Sequence, residues 1–236
     1  MTALVIIPTY NERDNIAAIV EQLLKHRDVR VMVVDDNSPD GTGAIADELA
    51  AAHAGRVSVM HRTANRGFGR AYIDGIRAAI QEPVDVICQM DSDFSHDPAR
   101  LPALIAATSN ADIVIGSRYV AGGGVENWPV RRRWLSRFAN AYVRTLTGMQ
   151  AHDCTSGFRC WRRDALAALP LDEFVSDGYS FLVEMLFVAA KQGRRIAEVP
   201  ITYSERRDGQ SKMSHGVILE SAITPWRLVG SKGRVH

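Results

Sequence analysis

The chain has 236 residues, 46% of them apolar and 23% charged, with a formal net charge of +1. That length can bury one sizeable core, the composition is ordinary for a globular protein, and the charge argues against a general nucleic-acid binder. Its three cysteines, Cys88, Cys154 and Cys160, are odd in number and never spaced C-x-x-C, which argues against a disulfide framework or structural zinc site and fits a reducing cytosol.

Ala3 to Ile7 is a continuous apolar run closed by Pro8, the pattern of a strand buried on both faces. Met1 leads straight into it without a basic region, an apolar signal core or a cleavage site, so no secretory leader is expected. Ile16, Ile19, Val20, Leu23 and Leu24 then recur at helical spacing. Val29 to Val34 reads as a second strand stopping at Asp35-Asp36, a helix follows Gly41-Thr42, and Val57 to Met60 makes a third strand. The pattern predicts helix over 69–80, strand over 84–90, helix over 98–107 and strand over 111–115. Strands and helices alternating at this spacing predict an α/β fold, a parallel sheet with helices on both sides.

After Gly116 the rhythm breaks. Residues 117–130 read as a mobile loop containing Gly122-Gly123-Gly124. Leu135, Phe138, Ala139, Tyr142, Val143 and Leu146 trace one face of a helix. A strand near 157–161, a helix near 180–192 and a strand near 196–203 follow, then a polar loop over 204–214 and a last helix from about 216. No apolar run reaches the roughly 18 residues a membrane span requires. There is no internal repeat and no low-complexity linker, so the second half is expected to be built onto the first.

Ligands of a parallel α/β sheet bind outside the carboxyl ends of its strands. Those ends carry Pro8-Thr9-Tyr10-Asn11-Glu12, Asp35-Asp36-Asn37-Ser38, Asp91-Ser92-Asp93 and Gly116-Ser117-Arg118. Chance supplies one polar strand end more readily than four. Asp91 and Asp93, one residue apart on a turn, can share a divalent cation through oxygen ligands, with Ser95 close enough to add another. Taken alone, the tripeptide fits equally well a capping turn before the helix that Pro98 opens; in company with the other strand ends, the metal reading is preferred. Ser38-Pro39-Asp40-Gly41-Thr42 is a good helix start on its own account, but it does not explain paired acids at a strand end. A carboxylate there, with Tyr10 and Glu12, can accept hydrogen bonds from a base or a ribose. Arg206 and Lys212 bracket Gly209 on a polar loop, which is either a solvated basic loop or one that closes over a diphosphate. Arg131-Arg132-Arg133 precedes the helix that carries Ser136 and Arg137, a ready phosphate site at a helix start.

Ile7-Pro8-Thr9-Tyr10-Asn11-Glu12, Val33 to Thr42 and Gln89-Met90-Asp91-Ser92-Asp93-Phe94-Ser95-His96 resemble the inverting GT-A glycosyltransferases, in particular the dolichol-phosphate mannose synthase group. Gly116-Ser117-Arg118-Tyr119, Thr155-Ser156-Gly157-Phe158-Arg159 and Glu198-Val199-Pro200-Ile201 extend the similarity through most of the chain. The resemblance implies a GT-A, Rossmann-like, mostly parallel sheet in one domain over 1–236, with 1–120 as the nucleotide-sugar half and 121–236 as an acceptor-side extension. It implies that Pro8, Tyr10, Glu12, Val34, Asp35, Asp36, Asp91 and Ser92 bind the nucleotide sugar. Asp91 and Asp93, with Ser95 nearby, would hold Mg²⁺ or Mn²⁺. Asp93, Arg118, Arg206 and Lys212 would be catalytic, and Arg118, Ser136 and Arg137 would contact the acceptor phosphate.

The reaction expected from this resemblance is mannose transfer from GDP-mannose to a polyprenyl phosphate with inversion. A phosphate acceptor needs no general base, because its second pKa of about 6 leaves it mostly dianionic at neutral pH, and no residue in the sequence must be cast as one. The lipid acceptor implies peripheral attachment to the cytoplasmic face of a membrane, with or without a separate anchoring protein. Ile218, Leu219, Ala222, Ile223 and Trp226 form a candidate interfacial stripe, although packing against the domain explains it equally well. A UDP-sugar-dependent glucosyl- or N-acetylglucosaminyltransferase shares most of these motifs, and a non-catalytic nucleotide-sugar sensor would share the fold. A haloacid-dehalogenase-type phosphatase needs a nucleophilic Asp after the first strand, where this chain has Pro8-Thr9-Tyr10-Asn11-Glu12. A sugar-nucleotide pyrophosphorylase would open with a glycine-rich basic loop, which is missing.

Overall fold

A computed structural model describes residues 1–64, 66–176, 178–204 and 215–230. The first half alternates as the hydrophobic pattern requires: β1 (Ala3–Thr9), α1 (Arg13–Leu24), β2 (Val29–Asp35), α2 (Thr42–Ala52), β3 (Val57–His61), α3 (Phe68–Ala79), β4 (Val86–Gln89), α4 (Leu101–Ala107) and β5 (Ile113–Ser117). A short 3₁₀ turn, Pro98–Arg100, precedes α4. The second half adds β6 (Gly124–Val125), α5 (Val130–Thr147), β7 (Arg159–Arg162), α6 (Arg163–Ala167), α7 (Gly178–Lys191), β8 (Ile196–Pro200), β9 (Thr202–Tyr203) and α8 (His215–Gly230).

Seven strands form one sheet in the order β3-β2-β1-β4-β7-β5-β8. All neighbours are parallel except β7, which lies antiparallel between β4 and β5. The sheet is therefore mostly parallel, and its centre is completed by a strand from the second half. Both faces are dry. One buries Ile16, Ile19, Val20, Leu23 and Leu104 against Val5, Val31 and Val33. The other buries Tyr72, Ile76, Phe181 and Leu186 against Ile6, Ile87 and Trp161. On this second face Gly75 lets α3 lie close to the sheet, since a Cβ there would stand 2.8 Å from Ile6 Cγ2.

Three local expectations change. The loop after β5 is not irregular throughout: Gly124–Val125 pairs in parallel with Thr202–Tyr203. Gly123 makes the turn into this pair, and a Cβ there would lie 2.5 Å from the Ser117 carbonyl oxygen. The strand expected over 196–203 is consequently two strands, β8 in the large sheet and β9 in the small one, with Ile201 between them. The helix expected from Leu135 starts at Val130 and so includes the whole arginine run.

Candidate active site

β1 pairs with β2 on one side and β4 on the other, so strand order reverses at β1 and a crevice opens outside the carboxyl ends. On the β2 side of this switch point the two aspartates differ. Asp35 accepts hydrogen bonds from the Ser38 hydroxyl at 2.5 Å, the Thr9 hydroxyl at 3.2 Å and the Ser38 amide at 3.2 Å. Its carboxylate builds the turn. Asp36 donates its amide to the Thr9 carbonyl at 2.9 Å, and its carboxylate accepts from Arg62 Nη1 at 2.5 Å and the Gly67 amide at 2.9 Å. Tyr10 is half-buried, with the Arg66 guanidinium 5.3 Å from its ring centroid, a cation–π distance. Glu12 accepts from Asn15 Nδ2 at 3.1 Å, and its amide donates to Thr42 Oγ1 at 3.0 Å. Pro8 lies opposite Val34 in the β1–β2 register. The Val34 side chain is fully buried in the core, so any contact it offers a nucleotide comes from its main chain.

On the β4 side, Asp91 is half-buried while Ser92 and Asp93 are buried. Asp97, not the aspartate pair, caps the turn at Pro98, accepting from the Ala99 amide at 2.9 Å. That removes the capping explanation for Asp91 and Asp93. Asp93 Oδ1 accepts from the Ser95 amide at 3.0 Å and the Ser95 hydroxyl at 2.5 Å. Ser95 is fully buried and orients Asp93 through these two bonds. Phe94 between them has φ 59°, an outlier for a bulky residue and the kind of strain that collects at functional sites. His96 stacks on Phe158 at 5.3 Å, meets Tyr203 edge-on at 5.4 Å, and brings Nδ1 to 3.9 Å from Asp91 Oδ2. The Ser204 amide donates to the Ser95 carbonyl at 3.2 Å, so β9 is stitched to the Asp91–Asp93 turn.

No group of three or more His, Cys, Asp or Glu able to hold a metal exists among the described residues. Asp91 and Asp93, just past the end of β4, are oxygen donors. Such donors suit Mg²⁺ or Mn²⁺, ions held by one or two carboxylates with substrate phosphates and water completing the shell.

At the β5 end Arg118 is buried and held by Asp153: Nε to Oδ2 at 2.7 Å and Nη2 to Oδ1 at 2.7 Å, with Thr155 Oγ1 at 2.8 Å. Burial would lower the Arg118 pKa, but Asp153 more than reverses that and holds it above its ordinary value. Burial would likewise raise Asp153, and Arg118 instead keeps it below the usual carboxylate range. The Arg118 guanidinium also lies 5.3–5.7 Å from the rings of Tyr119, Tyr203 and Trp128. Beneath this, Arg159 is fully buried and donates to the Ser156, Leu182 and Cys154 carbonyls at 2.6–2.8 Å. It braces the loop that supplies Asp153 and Thr155; burial lowers its pKa to about 10.

Arg118 and Arg137 line one cleft of about 350 Å³, together with Asn140, Arg144 and His152. Ser136 stands apart from that lining, its hydroxyl accepting from Tyr119 OH at 2.6 Å. Arg206 and Lys212 lie outside the described residues. Asp153, Arg62 and Arg144 escape a reading of the sequence. Arg62 follows a strand end, a signal that was available; Asp153 and Arg144 reach the site only because α5 and β7 fold back onto the sheet edge.

These features define a mostly parallel α/β fold with an aspartate pair at its switch point. Residues 4–169 match the family model Glycosyl transferase family 2, and the chain belongs to that family. It is 47% identical over 238 residues to a polyprenol monophosphomannose synthase of Mycolicibacterium smegmatis, covering 99% of this chain and 89% of the relative. It is 46% identical over 234 residues to an undecaprenyl-phosphate mannosyltransferase of Micrococcus luteus, covering 97% and 95%. Among solved structures it is similar to glucosyl-3-phosphoglycerate synthase from Mycobacterium tuberculosis in complex with Mn²⁺, UDP and glucosyl-3-phosphoglycerate. That TM-score is 0.68 at 20% identity, covering 97% of this chain and 80% of the other, a likeness of fold.

Proposed function

We propose that this chain transfers mannose from GDP-mannose to a polyprenyl phosphate with inversion, using Mg²⁺ or Mn²⁺ held by Asp91 and Asp93. The observation that carries the chemistry is the aspartate pair at the switch point, free of the capping duty that Asp97 performs. The choice of mannose and polyprenyl phosphate is supported by the two relatives, which match nearly the full chain. Residues 1–120 bind the donor and 121–236 the acceptor. The acceptor phosphate oxygen attacks the anomeric carbon as the bond from that carbon to the diphosphate oxygen breaks, and GDP departs with the bonding electrons. Asp91 and Asp93 would hold the cation, which when bound would supply charge neutralisation for the diphosphate, and Ser95 keeps Asp93 in one orientation.

Asp36 and Tyr10 take the nucleoside, whereas Asp35 acts through the turn it builds. Arg118 and Arg137 face the acceptor phosphate across their shared cleft. Arg206 and Lys212 complete the diphosphate site. Ser204, two residues before Arg206 in the sequence, donates its amide to the Ser95 carbonyl. The decisive assay offers a panel of nucleotide sugars and polyprenyl phosphates with and without Mg²⁺ or Mn²⁺. Transfer from GDP-mannose to the lipid phosphate alone is expected; transfer from a UDP-sugar, or no turnover, would overturn this reading.

Attachment to the cytoplasmic membrane face is part of the same proposal. No helix among the described residues is long and apolar enough to cross a membrane. The first half of α5 exposes Val130, Trp134, Leu135 and Phe138, the last three by 57–68%, flanked by Arg131, Arg133 and Arg137. α8 adds exposed Ile223 and Trp226, and Tyr142 OH joins the two helices by donating to the Ala222 carbonyl at 2.7 Å. The side chains of Ile218 and Leu219 fall outside the description. An apolar face with a basic rim suits an anionic bilayer surface, and among the described residues α5 carries more of it than α8. Replacing both Trp134 and Phe138 by serine is expected to abolish co-sedimentation with anionic vesicles while leaving the melting temperature near that of the parent. Unchanged vesicle binding would remove α5 from the membrane contact.

A further inference from the structure

Asp36 is one residue past the end of β2, where a side chain is free to rotate unless something holds it. Two groups hold it. Arg62, one residue past the end of β3, donates Nη1 to Asp36 Oδ1 at 2.5 Å, and the Gly67 amide donates to Asp36 Oδ2 at 2.9 Å. Arg62 is itself fixed by α3 and by the end of β2. Its Nε donates to Asp74 Oδ2 on α3 at 2.8 Å, and its backbone amide donates to the Asp35 carbonyl at 2.8 Å. The Arg62 side chain is 4% exposed, Asp36 10% and Asp74 39%. The chain Asp74–Arg62–Asp36 thus runs from the surface of α3 into the crevice.

A carboxylate has about four lone-pair sites, and two of those on Asp36 are taken by Arg62 and Gly67. With one oxygen fixed from each side, the carboxylate plane cannot turn, and its remaining acceptor sites keep one direction. A guanidinium suits this better than an ammonium, because its planar fork reaches two carboxylates at once.

We infer that Arg62 is a positioning residue for donor binding, holding the Asp36 carboxylate in the orientation that accepts the nucleotide's N–H or O–H donors, with Asp74 as its outer anchor. This rests on the reading that Asp36 contacts the nucleotide, and the test separates the two. The full-length protein is titrated with GDP in the presence of Mn²⁺ by calorimetry, for Asp36→Asn, Arg62→Gln, Arg62→Lys and Asp74→Asn. Steady-state kinetics are measured in parallel, and thermal melts report folding.

Arg62→Gln is expected to weaken GDP binding about 10- to 100-fold, the usual effect of losing the partner that orients a ligating group. Arg62→Lys should recover part of that loss. Asp74→Asn should weaken binding by only about threefold, as an exposed ion pair contributes little. In each folded variant KM for the donor should rise while KM for the acceptor stays unchanged, a split that general destabilisation does not produce. If Asp36→Asn weakens GDP binding while Arg62→Gln and Asp74→Asn leave it unchanged, the positioning role is wrong. If Asp36→Asn itself leaves GDP binding unchanged, the nucleotide reading of Asp36 fails and the inference with it. Should Arg62→Gln not fold, Arg62→Lys and Asp74→Asn decide: parent-like affinity in both overturns the role.

Discussion

Alanine at Asp93 is expected to lower turnover by about three orders of magnitude, because a cation that neutralises a leaving diphosphate supplies several kcal/mol and each 1.36 kcal/mol is tenfold in rate. Asp93 is buried and takes both the amide and the hydroxyl of Ser95, so the substitution also releases the turn that holds Asp91. Asp93→Asn separates the effects: it keeps an oxygen to accept from Ser95 but loses the charge. Comparable losses in both variants, with melting temperatures near the parent, would assign the effect to charge. Activity titrated with Mn²⁺ after chelator treatment provides the measurement. Full activity of Asp93→Ala in metal-free buffer would show that the aspartate pair does not work through a cation.

Asp153→Ala is expected to be the most damaging substitution for stability outside the sheet core. It leaves the buried Arg118 guanidinium without its carboxylate, and breaking a buried pair in this way costs about 3–5 kcal/mol. For a chain of this size that corresponds to a fall in melting temperature of roughly 6–20 °C. Differential scanning calorimetry measures it directly. The pH dependence has a definite sign. Asp153 titrates below its ordinary value of 3.8 in the folded protein. The stability it contributes is therefore fully present above that ordinary value and is lost as pH falls through the lower folded one. Between pH 5 and 8 the pair should give a flat stability profile, and a fall within that window would assign the pH dependence to other groups. Asp153→Asn, which retains an acceptor, should cost less. Both variants should raise KM for the acceptor, since Arg118 would no longer be oriented at the cleft.

The two substitutions differ in how they can be foreseen. Asp91 and Asp93 adjoin a strand whose apolar run announces itself, and the rule that ligands gather at carboxyl ends turns a linear pattern into a place in space. Residues of that kind are legible because each belongs to a short periodic element with a directional end. Asp35 and Asp36 were legible as a pair but not as individuals. Ser38 and Thr9 take Asp35 into the turn, while Arg62 and Gly67 take Asp36, and only packing distinguishes them. Ser95 shows the same limit: spacing places it near the aspartates, and the bond from its hydroxyl to Asp93 appears only in three dimensions.

Hydrophobic periodicity was sufficient for the alternation of β1 through β5, the parallel sheet between helices, and the edge at which Asp91-Ser92-Asp93 sits, because burial on both faces imposes apolar runs that no neighbour needs to complete. The antiparallel entry of β7 between β4 and β5, the pairing of β6 with β9, and the convergence of Asp153, Thr155 and Arg118 were decided in three dimensions. Those features join residues distant in the chain through hydrogen bonds and ion pairs, which leave no period in the sequence. They depend on a directional match between groups that meet only after the core has formed.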